Sequence, residues 1–167
     1  TTSGLVPQWS STQKTLTTGL TVGTAANNLV QLDGNAKLPA VDGSQLTNVV
    51  RNICVYIDNK DSAIETGIKA KVCIDYACTI QSVTLHGSPS GSIVVDIWKT
   101  AYANLPAVVG NSITASAKPT ISSGIKYQDV TLSGWTTSIS ADDWLYFNVD
   151  SCTTMTNCSI DLKVVTV

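Results

Sequence analysis

Ser92-Ile93-Val94-Val95-Asp96-Ile97-Trp98-Lys99 and, further on, Gly134-Trp135-Thr136-Thr137-Ser138-Ile139-Ser140-Ala141-Asp142-Asp143-Trp144-Leu145-Tyr146-Phe147-Asn148-Val149 decide the fold of this chain. Both islands are rich in β-branched and aromatic residues, the types that fit a pleated, half-buried surface. Ile93, Val95 and Ile97 make one face wholly apolar, while Val94, Asp96 and Trp98 make the other mixed. Leu145, Phe147 and Val149 repeat the pattern opposite Trp144, Tyr146 and Asn148. A period of two is the signature of a strand.

Working outward, Ile53–Asp58 reads as a first strand. Between Ile64 and Asp75, Ile68, Ala70, Val72 and Ile74 share one face, and Glu65, Lys69, Lys71 and Asp75 populate the polar one. That is the pattern of a half-buried antiparallel strand. Tyr76–His86 follows with a mixed pattern, and Gly87-Ser88-Pro89-Ser90-Gly91 reads as a turn. Thr100–Gly110 is irregular, Ser112–Ser116 is short, and Lys118–Gly124 reads as a loop before a strand at Gln128–Leu132. Cys158–Val167 closes the chain, with Ile160, Leu162 and Val164 alternating with Asp161, Lys163 and Val165. Roughly eight strands at this spacing predict an all-β, antiparallel sandwich over 51–167, with a jelly roll as the specific form. Trp135 and Trp144 are expected to be pillars of its core.

The first 50 residues have another texture. Leu16, Leu20, Val22, Leu29, Val30, Leu32, Leu38, Val41 and Leu46 are irregularly spaced, and Asp33-Gly34 and Asp42-Gly43 mark tight turns. Pro39 forbids one long strand or helix. A short helical turn at Ser44–Asn48 could begin on a cap at Asp42 or Ser44. Such a segment, an extended arm with short strands, buries too little apolar surface alone to offset its ordering entropy. It needs company from identical chains or another partner. Val6, Pro7 and Trp9 read as an anchoring peptide that docks into another protein.

Composition narrows the function. Charged residues are only 13% of the chain, the formal net charge is -2, and no basic run exists. A nucleic-acid backbone is therefore not an expected partner. No apolar run approaches the ~18 residues of a membrane helix. Thr1-Thr2-Ser3-Gly4 lacks the basic start and apolar core of a secretory signal. Five cysteines, Cys54, Cys73, Cys78, Cys152 and Cys158, match no common zinc spacing. They read as buried free thiols, with a Cys152–Cys158 hairpin disulfide as the second reading.

Few groups suggest chemistry. His86 is the only histidine, and no Gly-x-Ser-x-Gly elbow, Walker loop or dinucleotide fingerprint accompanies it. Asp142-Asp143 could supply a carboxylate pair for glycoside hydrolysis, and Asp58, Asp61 and Glu65 could supply oxygen ligands for calcium. The plainer reading of both is a polar turn. The chain is therefore expected to be no enzyme and to hold no cofactor or metal. Sugar binding is the stronger candidate. Tyr102, Asn104, Tyr127, Trp135 and Tyr146 offer rings and amides for it. The first three are preferred as loop residues, because sites favour loops on a rigid scaffold.

The segment Ala25-Ala26-Asn27-Asn28-Leu29-Val30-Gln31-Leu32-Asp33-Gly34-Asn35-Ala36-Lys37-Leu38-Pro39-Ala40-Val41-Asp42-Gly43-Ser44-Gln45-Leu46-Thr47-Asn48 resembles a piece found repeatedly in tail fibres and related virion proteins of tailed bacteriophages. Ile64–Val149, with Ser116–Ile121 and Gly134–Ser140, resembles the distal β domain that follows it there. The resemblance implies a homotrimer on the virion, assembled in the host cytoplasm and exposed on the particle. Leu29, Leu32, Leu38, Val41 and Leu46 would then make the trimer contacts, and the arm would join other virion proteins. Two roles follow. The first is a short tail fibre whose outer domain meets a host glycan or protein. The second is a capsid decoration (cement) protein that clamps capsid subunits. The wording of residues 25–48 favours the fibre, and the short chain favours cement. A free carbohydrate-binding module fits the sandwich but not the arm.

Overall fold

The computed structural model describes residues 48–167. The anchoring residues Val6, Pro7 and Trp9, the trimer candidates Leu29, Leu32, Leu38, Val41 and Leu46, and nearly all of the turn at Ser44–Asn48 lie outside the described residues.

Seven strands form one antiparallel sheet: β1 (Val50–Asp58), β2 (Gly67–Ile74), β3 (Cys78–Ala101), β4 (Thr120–Asp129), β5 (Ser138–Ile139), β6 (Asp143–Thr153) and β7 (Asn157–Thr166). The order is β1-β7-β3-β6-β2, and β4 and β5 pair with β3 from its other side. The mixed stretch Tyr76–His86 and the island Ser92–Lys99 do not give separate strands. From Cys78 on they belong to the two halves of β3, which is 24 residues long. The expected turn at Gly87–Gly91 is instead a bend within it.

Chain connectivity shows that β3 folds back on itself. A straight strand of that length would separate Cys78 from Ala101 by about 75 Å. Yet Ile74 pairs with Asp143, and Asp143 pairs with Ala101. Only Asp75, Tyr76 and Ala77 join Ile74 to Cys78, a reach of at most about 14 Å. The two ends of β3 therefore lie at the same end of the molecule. The first half carries β7 and β1, the second carries β6 and β2, and the sheet curls into a jelly-roll-like sandwich. Val167 N donates to Ala77 O at 3.2 Å, and Arg51 lies over the Tyr76 ring at 4.5 Å. The first contact continues the β3–β7 ladder past Cys78, and the second ties β1 to the connection between the layers.

The bend works because two glycines sit where the β6–β7 turn presses on β3. A Cβ on Gly87 would lie 2.6 Å from Met155 Sδ. A Cβ on Gly91 would run into Thr154 Oγ1 and the backbone oxygen of Thr153. Hydrogen bonds hold the same crossing: Thr156 N donates to Ser88 O at 2.9 Å, and Thr154 Oγ1 donates to Ser90 O at 2.8 Å.

One interior serves both layers. Ile53, Val55, Ile57, Val83, Leu85, Ile160, Leu162 and Val164 meet Ile93, Val95, Ile97, Leu145, Phe147 and Val149 in a single buried cluster. A fully buried side chain of this kind contributes about 1.5–3 kcal/mol, so this shared interior is the main hold between the layers. Alternation fails in β2, where a register shift between Ile68 and Ala70 breaks the pleat. Ile68 is consequently exposed rather than inward. The expected loop at Lys118–Gly124 is also corrected, since β4 starts at Thr120 and pairs with β3 across the bend.

Cysteine placement follows the same alternation. All five are free. Cys78 and Cys158 are buried and Cys152 is half-buried, but Cys54 and Cys73 occupy outward positions of β1 and β2 and are exposed. Burial pushes the Cys158 thiol up to about 11. The hairpin disulfide between Cys152 and Cys158 is not formed: Cys152 Sγ donates to Met155 O and Cys158 Sγ to Ser159 O.

Candidate functional site

Two surfaces carry the residues expected to bind. The first is the segment between β3 and β4. It leaves Ala101 through a 3₁₀ turn, Tyr102–Asn104, makes a second at Val109–Asn111, and returns along the edge of β3, where Ser112 bridges to Trp98. Its residues cover the outer face of the second half of β3, so Asp96, Trp98 and Thr100 are buried as well as Ile93, Val95 and Ile97. Leu105 and Ala107 pack with Trp98, Tyr146 and Trp144 in a second, smaller apolar cluster. Trp144 is therefore a half-buried member of this outer cluster, not a pillar of the main core. Trp135 does pack against the main core, and its Nε1 donates to Ala117 O at 2.9 Å.

Asp96 anchors the segment. Its Oδ1 accepts hydrogen bonds from Ser112 Oγ at 2.6 Å and Thr114 Oγ1 at 2.7 Å. Lys118 Nζ lies 3.1 Å from Oδ2, an ion pair without the alignment of a directed hydrogen bond. Lys118 also donates to Asp150 Oδ2 at 2.6 Å, and Asn148 Nδ2 holds the other oxygen of Asp150 at 2.7 Å. Burial alone would raise the Asp96 pKa. The Ser112 and Thr114 hydroxyls, with the Trp98 indole and Lys118, outweigh it and hold the carboxyl below its ordinary range. The ammonium of Lys118 is pulled the other way, upward, by Asp150 first and by Asp96 against its own desolvation. A charge inside the apolar run Ile93–Trp98 was the signal for this network, and alternation alone classed it only as part of a mixed face.

The second surface surrounds Tyr127. Thr84, Lys126, Tyr127 and Gln128 line a depression of about 380 Å³ on β3 and β4. Gln128 Nε2 donates to Thr84 Oγ1 at 3.3 Å. Asp161 stands opposite Thr84 in the ladder, and its Oδ1 is buried without a hydrogen-bond partner. Tyr127 thus lies in a strand rather than a loop. Burial, then the nearby Asp129, raise the pKa of its phenol. Tyr127 packs against the main core on the face of its partner Leu85, so the depression offers the Gln128 amide, the Thr84 hydroxyl and the Lys126 ammonium, groups that can hold the hydroxyls of a saccharide.

Strand register separates the two surfaces. Tyr102 and Asn104 follow Ala101 at the end where β1 begins, whereas Tyr127 pairs with Leu85 partway along the first half of β3. Tyr146 is buried under the Ala107 segment, with Lys71 Nζ 5.1 Å from its ring centroid. The carboxylates have structural tasks. Asp143 Oδ2 accepts from Ser140 N at 2.9 Å and pairs with Lys99 at 3.4 Å. Asp58 Oδ1 accepts from Lys60 N at 2.9 Å in the β1–β2 turn. His86 is exposed on β3, opposite Lys126 and Ser159. Among the described residues no group of three or more His, Cys, Asp or Glu side chains is placed to hold a metal, and no helix is long and apolar enough to cross a membrane.

No family model matches this chain, and no curated protein matches it. Among solved structures it is similar to one described as "Structure of infectious bursal disease virus Gx strain", at 13% identity and a TM-score of 0.37. The likeness covers 72% of this chain and 33% of that one, so it spans about a third of that chain's length.

Proposed function

We infer that this chain is a structural protein of a tailed-phage virion, a short trimeric tail fibre whose β-sandwich meets the host surface. The observation that carries the reading is the join between two parts. The fibre-like wording of Ala25–Asn48 leads directly into β1 at Val50, the first strand of a sandwich with a core of its own. In this reading the N-terminal residues attach the protein to the particle and supply one another's missing core across three copies, so folding and trimerisation are linked. Repetition on one particle then makes weak host contacts effective through avidity. The depression at Thr84, Lys126, Tyr127 and Gln128 is the host-contact candidate, with a saccharide as its ligand.

Deletion of residues 1–15 tests the attachment part. The truncated chain is expected to remain a folded trimer, measured by light scattering, and to be missing from purified particles. Incorporation at the full-length level would overturn it. The cement reading differs in where the protein sits.

A further inference from the structure

We propose that the segment Tyr102–Gly110, at the end of the sandwich where β1 begins, is a contact surface for a second copy of this chain. The proposal rests on the homo-oligomer part of the reading above. Tyr102, Val108 and Val109 are 72%, 56% and 68% exposed, three large apolar side chains within one short segment. No charged residue occurs from Ala101 to Ala117.

The segment is also built to hold still. Leu105 and Ala107 are set into the Trp98 and Tyr146 cluster beneath it. Val108 N donates to Asn111 Oδ1 at 2.9 Å, and Ile113 N donates to Ile97 O at 2.9 Å. The buried Asp96 network fastens the returning segment through Ser112, Thr114 and Lys118. A preorganised surface loses little entropy on binding, and tyrosine is enriched at such contacts.

Two arguments select a second copy as the occupant. First, identical chains bring identical charges, so like-charge juxtaposition penalises most faces of a self-associating protein. A segment that brings no charge of its own lessens that penalty. Second, the strand register puts Tyr102 at the end where Asn48 leads in from 47 preceding residues. If those residues associate, the ends of the sandwiches that carry β1's start are the ends brought together. The opposite end, with the β3 bend and the turns Asn59–Thr66 and Thr154–Thr156, is left outward.

The test uses the full chain. A photo-crosslinking amino acid at position 109 is combined with light scattering of Val108→Asp/Val109→Asp, with Val108→Ser/Val109→Ser as the control for folding. The expected result is a crosslink to another copy, and a dissociation midpoint raised at least tenfold by the aspartates but little by the serines. A wild-type oligomer in which position 109 crosslinks no second copy, and whose mass resists the aspartates, would overturn the contact and leave the oligomer reading standing. A wild-type monomer at all concentrations would overturn both.

Discussion

Asp96 shows how one residue converts an ordinary strand into a platform. On an exposed strand face an aspartate is unremarked. Here it is fully buried, and its surroundings supply two hydroxyls and an ammonium. A buried ion pair is weak evidence for net stability, but removing one partner leaves an uncompensated buried charge. Lys118→Met is therefore expected to cost about 2–3 kcal/mol at neutral pH, below the fully buried range because Lys118 is partly exposed. The pH dependence has a definite sign. The folded state holds Asp96 below its ordinary pKa, so its contribution is present above the unfolded carboxylate pKa of about 3.9. It is lost as pH falls through the lower folded value. Urea unfolding followed by tryptophan fluorescence should show the gap between wild type and Lys118→Met shrinking from pH 7 to about pH 2.5. A gap unchanged with pH would contradict the ion-pair account.

At the scale of elements, β3 is the decisive one. Its alternation was legible after the bend, at Ile93, Val95 and Ile97, but before it, where Val83 and Leu85 face the same interior, the stretch read only as mixed. The bend itself was not legible as part of a strand. Gly-Ser-Pro-Ser-Gly is also the composition of a turn, and only the pairing of Ser88 with Asn157 and of Ser92 with Thr153 keeps these residues in the ladder. Pairing partners far apart in sequence leave no local mark. The exposure of Ile68 escaped for a similar reason, since a bulge shifts every later residue to the other face. The candidate sites were partly legible. Tyr127 was expected on a loop and lies in β4, and Asp96 was passed over because its partners lie 16 or more residues away. Gly91→Ala tests the bend. The added methyl meets the Thr153 backbone and Thr154, so it should destabilise by about 1–3 kcal/mol. Gly124→Ala, whose Cβ would make ordinary contacts at 3.7 Å and beyond, is the comparison. Equal unfolding midpoints for the two would show that the crossing at Gly91 is not tight.

For the whole molecule, the described residues hold a complete interior drawn from both layers, and both ends of β3 return to the end where β1 starts. Residues 48–167 expressed alone are therefore expected to be soluble and to unfold cooperatively, as read by near-UV circular dichroism and urea titration. An insoluble or molten fragment would mean that the sandwich needs the preceding residues for its core. Under the function proposed above, the end where β1 starts would face the rest of the assembly and the end with the β3 bend would face outward. That account stands most directly on where the protein sits. Cryo-electron microscopy of purified particles carrying a labelled copy of this chain should place threefold density at the tail. Density at the threefold positions of the capsid, or no density on the particle, would contradict the fibre.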